Sequence, residues 1–211
     1  MKNFDKLVKA MKDNKFDIIE ELLKSNPELA KETDAAGLTA LHYVNSIKAC
    51  ELLIDAGADV NAQSKMNLLT PLHLAASGKD LGVMLTLISK GAKVNEMDNS
   101  GRSALHWAIA KNSQPVMVEE LIKNGANVNL PSGKSANTPL HYAAKEGNAP
   151  ALKILLQNGA DLNIRNAMNE TPAQICKNAQ VGKIINDHNR DQDAKKYANI
   201  FETKTKTSRS K

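Results

Sequence analysis

Apolar residues along this chain fall into short runs at helical spacing, two runs to a unit, and the units recur. Phe4, Leu7, Val8 and Met11 occupy i, i+3, i+4 and i+7, one face of a helix. After Asn14 a second run, Phe16, Ile18, Ile19, Leu22 and Leu23, has Lys, Glu and Asp on its other side. Asn26-Pro27 stops that helix, because proline disfavours helical backbone at the residue before it. Downstream, the pairs Leu52-Leu53, Leu87-Ile88, Leu121-Ile122 and Leu155-Leu156 mark further second helices. A glycine follows each, at 57, 91, 125 and 159, where a left-handed residue ends a helix. First helices are predicted after the cap residues Thr39, Thr70, Ser103, Thr138 and Thr171, whose hydroxyls can take a free backbone N–H.

Those cap residues open a repeated phrase. Thr70-Pro71-Leu72-His73 and Thr138-Pro139-Leu140-His141 are full copies. Thr39-Ala40-Leu41-His42 and Ser103-Ala104-Leu105-His106 are close ones, and Thr171-Pro172-Ala173-Gln174 is worn. The starts at 39, 70, 103, 138 and 171 lie 31, 33, 35 and 33 apart. A period near 33 with this phrase resembles the ankyrin-repeat family over about residues 1–190. The resemblance implies an all-α fold: a solenoid of helix-turn-helix units with β-hairpin fingers, about five repeats plus an N-terminal capping helix pair. The expected divisions are 1–33 for the cap and 34–190 for the array, with units at about 34–64, 65–97, 98–132, 133–165 and 166–190. Residues 191–211 are read as a short helix, with Ala194, Tyr197, Ala198 and Phe201 on one face, and a basic disordered tail.

Copies that disagree carry more information than copies that agree. From His42 to Gly57 is 15 residues, against 18 from His73 to Gly91, so roughly one helical turn is missing near Val44-Asn45-Ser46. Gly37 supplies a positive φ to the first finger. In the second, Lys65-Met66-Asn67-Leu68-Leu69 has no glycine, and the turn is expected to relax or to use Asn67. The finger at 130–137 is long and off-pattern, and Asn169 stands in the glycine slot of the last.

Aromatic residues make up only 3% of the chain, which fits thin layers packed from Leu, Ile, Val and Ala. The net charge of +5 permits an acidic partner without demanding one. Cys50 and Cys176 lie on different repeats, which suits a reducing compartment and gives no disulfide framework. The opening residues hold no apolar signal region, and no stretch reaches membrane-spanning length. These features predict a soluble, monomeric, cytoplasmic protein; the alternative is a secreted bacterial or viral effector acting on a host protein, delivered into the host cell if the source is an intracellular bacterium.

His42, His73, His106 and His141 hold one position in successive layers, so they form a ladder and not a metal shell. In the family this histidine holds the turn near the cap threonine. No phosphate-binding glycine pattern and no catalytic constellation occurs, so no enzyme, metal, cofactor or small-molecule substrate is expected. The resemblance implies a protein or peptide partner held by the concave face and finger loops. Carried over by position, it marks Met66, Leu68, Leu69, Arg102, Trp107, Lys111, Lys134, Tyr142, Lys145 and Met168. Trp107 and Tyr142 occupy equivalent slots on consecutive repeats, where they can anchor a ligand or pack between helices. Asn61, Asn95, Asn129 and Asn163 each follow a leucine by eight residues, a hydroxylation pattern in animal members of the family, with an ordinary turn-forming role preferred. Nucleic-acid association through Lys204, Lys206, Arg209 and Lys211 is the weakest alternative, since no aromatic residue is interleaved for stacking.

Overall fold

The computed structural model describes residues 3–78 and 80–208, with side chains followed to 192 and at 194. Helices α1 (Asn3–Lys12) and α2 (Phe16–Ser25) form the N-terminal pair. The first repeat has a 3-10 turn at Ala40–Tyr43 followed by α3 (Ile47–Asp55). The next three repeats carry full pairs: α4 (Pro71–Ser77) with α5 (Leu81–Ser89), α6 (Ala104–Ala110) with α7 (Pro115–Lys123), and α8 (Pro139–Glu146) with α9 (Ala149–Gln157). The last has α10 (Pro172–Ile175) and α11 (Ala179–Ser208).

The helices stack in two rows. Helix α1 touches the Ala40–Tyr43 turn, and α4, α6, α8 and α10 follow it, each on its predecessor. The second row runs α2, α3, α5, α7, α9 and α11. Leu41, Leu72, Leu105 and Leu140 from the first row and Leu53, Leu87, Leu121 and Leu155 from the second are buried between the rows. Each contributes about 1.5–3 kcal/mol by leaving water, and no single repeat could bury them alone. Small residues on the first helices, Ala104, Ala108, Ala143 and Ala144, let neighbouring backbones come close.

Every first helix starts with a reciprocal cap. The Thr or Ser hydroxyl takes the N–H of the third helical residue, and that residue's side chain takes the cap's own N–H. Where the missing turn was expected, the first helix is indeed reduced to four 3-10 residues. The chain leaves the helix at Val44 and Ser46 then caps α3, accepting from the Ala49 N–H. An open groove of about 660 Å³ remains, walled by Tyr43, Val44, Asn45, Leu74, Ala75 and Leu81.

Three expectations need correction. The fingers are turns and not β-hairpins: the described residues hold no strand, and the one isolated bridge is Thr33 with Thr39. Closures such as Asp34 N–H to Leu38 O leave too few residues for paired strands. In the second finger the left-handed residue is Leu68, at φ +53°, and not Asn67. At the C-terminus one continuous α11 replaces the short helix and most of the disordered tail. No glycine follows Gly182 and no proline follows Pro172, so nothing in the sequence breaks the helix. The side chains of Tyr197, Ala198, Phe201, Lys204 and Lys206, and the residues Arg209 and Lys211, lie outside the described set.

Candidate binding surface

The histidine ladder joins each repeat to the next. Nδ1 of His42 accepts from the backbone N–H of Thr39, which places the ring proton on Nε2, and Nε2 donates to Leu69 O at 2.8 Å. His73, His106 and His141 repeat this toward Arg102 O, Asn137 O and Glu170 O, the residue just before the next cap in each case. Burial lowers the pKa of all four, that of His106 to about 4, so the rings are neutral near pH 7. Gln174 stands in for histidine in the last repeat and keeps only the cap, its Oε1 accepting from the Thr171 N–H.

A second ladder runs along the opposite loops. The Asn61 side chain donates to Gly91 O and accepts from the Lys93 N–H; Asn95 and Asn129 do the same one and two repeats on. Three of the four asparagines thus bridge one repeat to the next, where a turn-forming role was expected.

After His42, His106 and His141 an aromatic residue ties down its own finger, whereas Leu74 after His73 has no group to do so. Tyr43 donates to Asp34, the Trp107 indole N–H donates to Asp98 at 3.0 Å, and the Tyr142 hydroxyl reaches Ser132 at 3.5 Å. Burial and the Asp34 carboxylate push Tyr43 up to about 12. Asp98 is buried and takes N–H bonds from Ser100, Arg102 and Trp107 and an ion pair from Arg102. Burial alone would raise its pKa, but the donors together hold it below the usual carboxylate value. The Arg102 guanidinium and the Lys111 ammonium both lie over the Trp107 ring, 4.6 and 5.8 Å from its centroid.

The fingers alternate between two builds. In the first, third and fifth, Asp34, Asp98 and Asn166 each accept the N–H groups two and four residues on, and the left-handed residue is Gly37, Gly101 or Asn169. In the second and fourth a serine takes that place and the closure is one residue longer, from Ser64 N–H to Leu69 O and from Ser132 N–H to Asn137 O. The left-handed slot, two residues before the cap, then falls on Leu68 and Ala136. Gly133 exists for contact: a Cβ there would stand 2.3 Å from Ser100 O in the third finger.

Of the residues marked from sequence, Arg102, Trp107 and Lys111 form one contact group. Tyr142 packs edge-on against His106, 5.3 Å between centroids. Met66 is 70% exposed and Leu68 41% at the tip of the second finger, with Leu69 half-buried beneath them. Lys134 and Lys145 are exposed in the fourth repeat, and Met168, 79% exposed, lies in the last finger. Met66 and Met168 therefore sit on the second and fifth fingers, with two fingers between them. Asp98 was missed, as the anchor of Trp107; its signal was an acid exactly where Ser64 and Ser132 stand in the longer fingers. Among the described residues, no group of three or more His, Cys, Asp or Glu is placed to hold a metal, and no helix is long and apolar enough to cross a membrane. Cys50 is buried in α3, and burial pushes its thiol up to about 11.

Stacked helix pairs, reciprocal caps and two ladders of inter-repeat hydrogen bonds define a helical repeat solenoid. The chain belongs to the ankyrin-repeat family: the family described as ankyrin repeats (3 copies) matches residues 43–132 and 72–166, together more than half of its length. It is similar to neurogenic locus notch homolog protein 2 of Homo sapiens, 32% identical over 137 residues, 48% of this chain and 6% of that protein. It is also similar to glycerophosphocholine phosphodiesterase gde1 of Schizosaccharomyces pombe, 34% identical over 99 residues, 44% of this chain and 8% of that protein. The chain thus spans less than a tenth of the length of these curated relatives. In fold it matches the crystal structure of the ankyrin repeat domain of Bcl-3, a member of the IkappaB protein family. That match has TM-score 0.68 and 24% identity, over 85% of this chain and 97% of that one. Ankyrin repeats are in general protein-protein interaction modules.

Proposed function

We propose that this chain is a non-catalytic protein-binding module that holds a protein or peptide through its finger tips and the inner face of its first helices. One observation carries the reading. Leu68 occupies a left-handed slot that the first and third fingers give to glycine, and it does so while 41% exposed beside Met66. A left-handed leucine costs about 1–2 kcal/mol, and Leu68 recovers none of it by joining the core. Apolar side chains held outward on a strained turn fit selection for contact with a partner.

The test exploits opposite signs. Leu68→Gly relieves the strain and is expected to raise stability by roughly 1 kcal/mol, while weakening capture of whatever the wild-type chain retains. Met66→Asp is expected to weaken capture with no change in far-UV circular dichroism. If capture is unaffected by both substitutions, the fingers are not the binding face.

A further inference from the structure

Charge on this surface is arranged in a way the fold does not need. Lys65 and Lys134 on the fingers, and Lys111 and Lys145 at the ends of α6 and α8, are exposed, and none is in an ion pair among the described residues. Elsewhere lysines do find carboxylates, as Lys31 with Glu28, Lys48 with Glu20 and Lys123 with Glu120. Arg102 is already neutralised by Asp98. That leaves four amines with no carboxylate at ion-pair distance among the described residues, and Glu170 of the fifth finger already accepts from the Asn166 amide. Trp107 stands among them with two cations over its ring. A basic ligand approaching that ring meets like charge, and a stacking base meets a face in use. A carboxylate meets Lys111, which has no other anion. On the second and fifth fingers, either side of these amines, the chemistry changes to exposed Met66 with Leu68 and to Met168.

We infer that this surface takes an extended acidic peptide segment flanked by apolar residues. Its carboxylates lie along Lys111, Lys134 and Lys145, and its apolar ends rest on the second and fifth fingers. The inference depends on the binding face proposed above and names the chemistry of its partner. Pairs between exposed charges are individually weak and are screened by salt, so the arrangement confers selectivity and speed of association more than affinity.

Trp107 is the only tryptophan in the chain, so its fluorescence reports on this surface alone. The probe is a synthetic peptide with a run of glutamates between terminal leucines. Matched peptides carry glutamine or lysine in the run, and a single-stranded oligothymidylate of equal charge serves as the nucleic-acid arm. The glutamate peptide is expected to change the fluorescence saturably and to bind roughly tenfold more weakly at high salt than at low salt. Lys111→Glu with Lys145→Glu is expected to abolish that response while leaving circular dichroism intact. No saturable response to the glutamate peptide, equal binding of the glutamine peptide, or preference for the lysine peptide or the oligonucleotide each overturns the inference. Equal binding of the glutamine peptide overturns only the acidic partner and leaves the face standing. Capture unchanged by Leu68→Gly and Met66→Asp removes the face itself.

Discussion

The four histidines make acid stability a property of single residues. His106 is fully buried, neutral, and bonded on both ring nitrogens, with its pKa lowered from 6.5 to about 4 by burial. The unfolded chain therefore takes up a proton first as the pH falls. The stabilising contribution is complete above the unfolded value near 6.5 and is lost progressively down to about 4. For His106 alone the shift corresponds to roughly 3 kcal/mol. The last repeat suggests a substitution that isolates the effect, because Gln174 already accepts the cap N–H there without titrating. His106→Gln is expected to cost modestly at neutral pH and to flatten the fall in urea midpoint between pH 6.5 and 4. A fall as steep as in the wild type would mean that other groups, the remaining three histidines or carboxylates, and not His106 control acid unfolding.

At the scale of elements, the first repeat is the exception. Ala75 of α4 is half-exposed, whereas Ala108 of α6 and Ala143 of α8, at the same place in their repeats, are fully buried. The difference lies in the preceding unit: α6 and α8 pack on full first helices, and α4 packs on four 3-10 residues. Inserting Ala-Lys-Glu after Val44 would complete the turn, cover Ala75 and fill the groove. The expected gain is about 1–2 kcal/mol, read as a higher midpoint in urea denaturation; a lower midpoint would show that the short turn is the better fit to α3. The shortened helix was legible in the sequence because counting from His42 to Gly57 needs only the repeat phrase. The stack, the caps and the helix-ending glycines were legible for the same reason, since each is fixed by residues a few positions apart. The turn at Leu68 was not, because its register is set by Ser64 closing on Leu69 one residue later than Asp98 closes on Arg102. Propensity points to Asn67, and the long closure overrides it. The contact of Trp107 with Asp98 links residues nine apart and appears only once finger and helix are folded together. Of the surface itself, sequence position placed the residues, and only the structure separates the Arg102, Trp107 and Lys111 group from the apolar tips.

The whole molecule is a line of joints, since the main helix contacts along the two rows, among the described residues, run to adjacent repeats. Stability in such an array is a sum of unit and neighbour terms, so unequal joints produce unequal local stability. The two joints of the first repeat, to α1 and to α4, have less first-row packing than those among α4, α6, α8 and α10, because the Ala40–Tyr43 turn replaces a helix there. The N-terminal pair and first repeat are therefore expected to exchange backbone hydrogens at lower free energy than α6 to α9, with the boundary falling between α3 and α5. Two core substitutions test the direction of coupling. Leu23→Ala in α2 and Leu121→Ala in α7 remove side chains that are both buried, and each is expected to cost about 2–5 kcal/mol locally. Leu23→Ala should reduce protection in α1 to α3 and spare α7 and α9. Leu121→Ala sits in the middle of the line and should reduce protection on both sides, in α5 and α9. Uniform loss of protection after either substitution would show that the array opens as one cooperative body and that the short turn at Ala40–Tyr43 is no weaker than its neighbours.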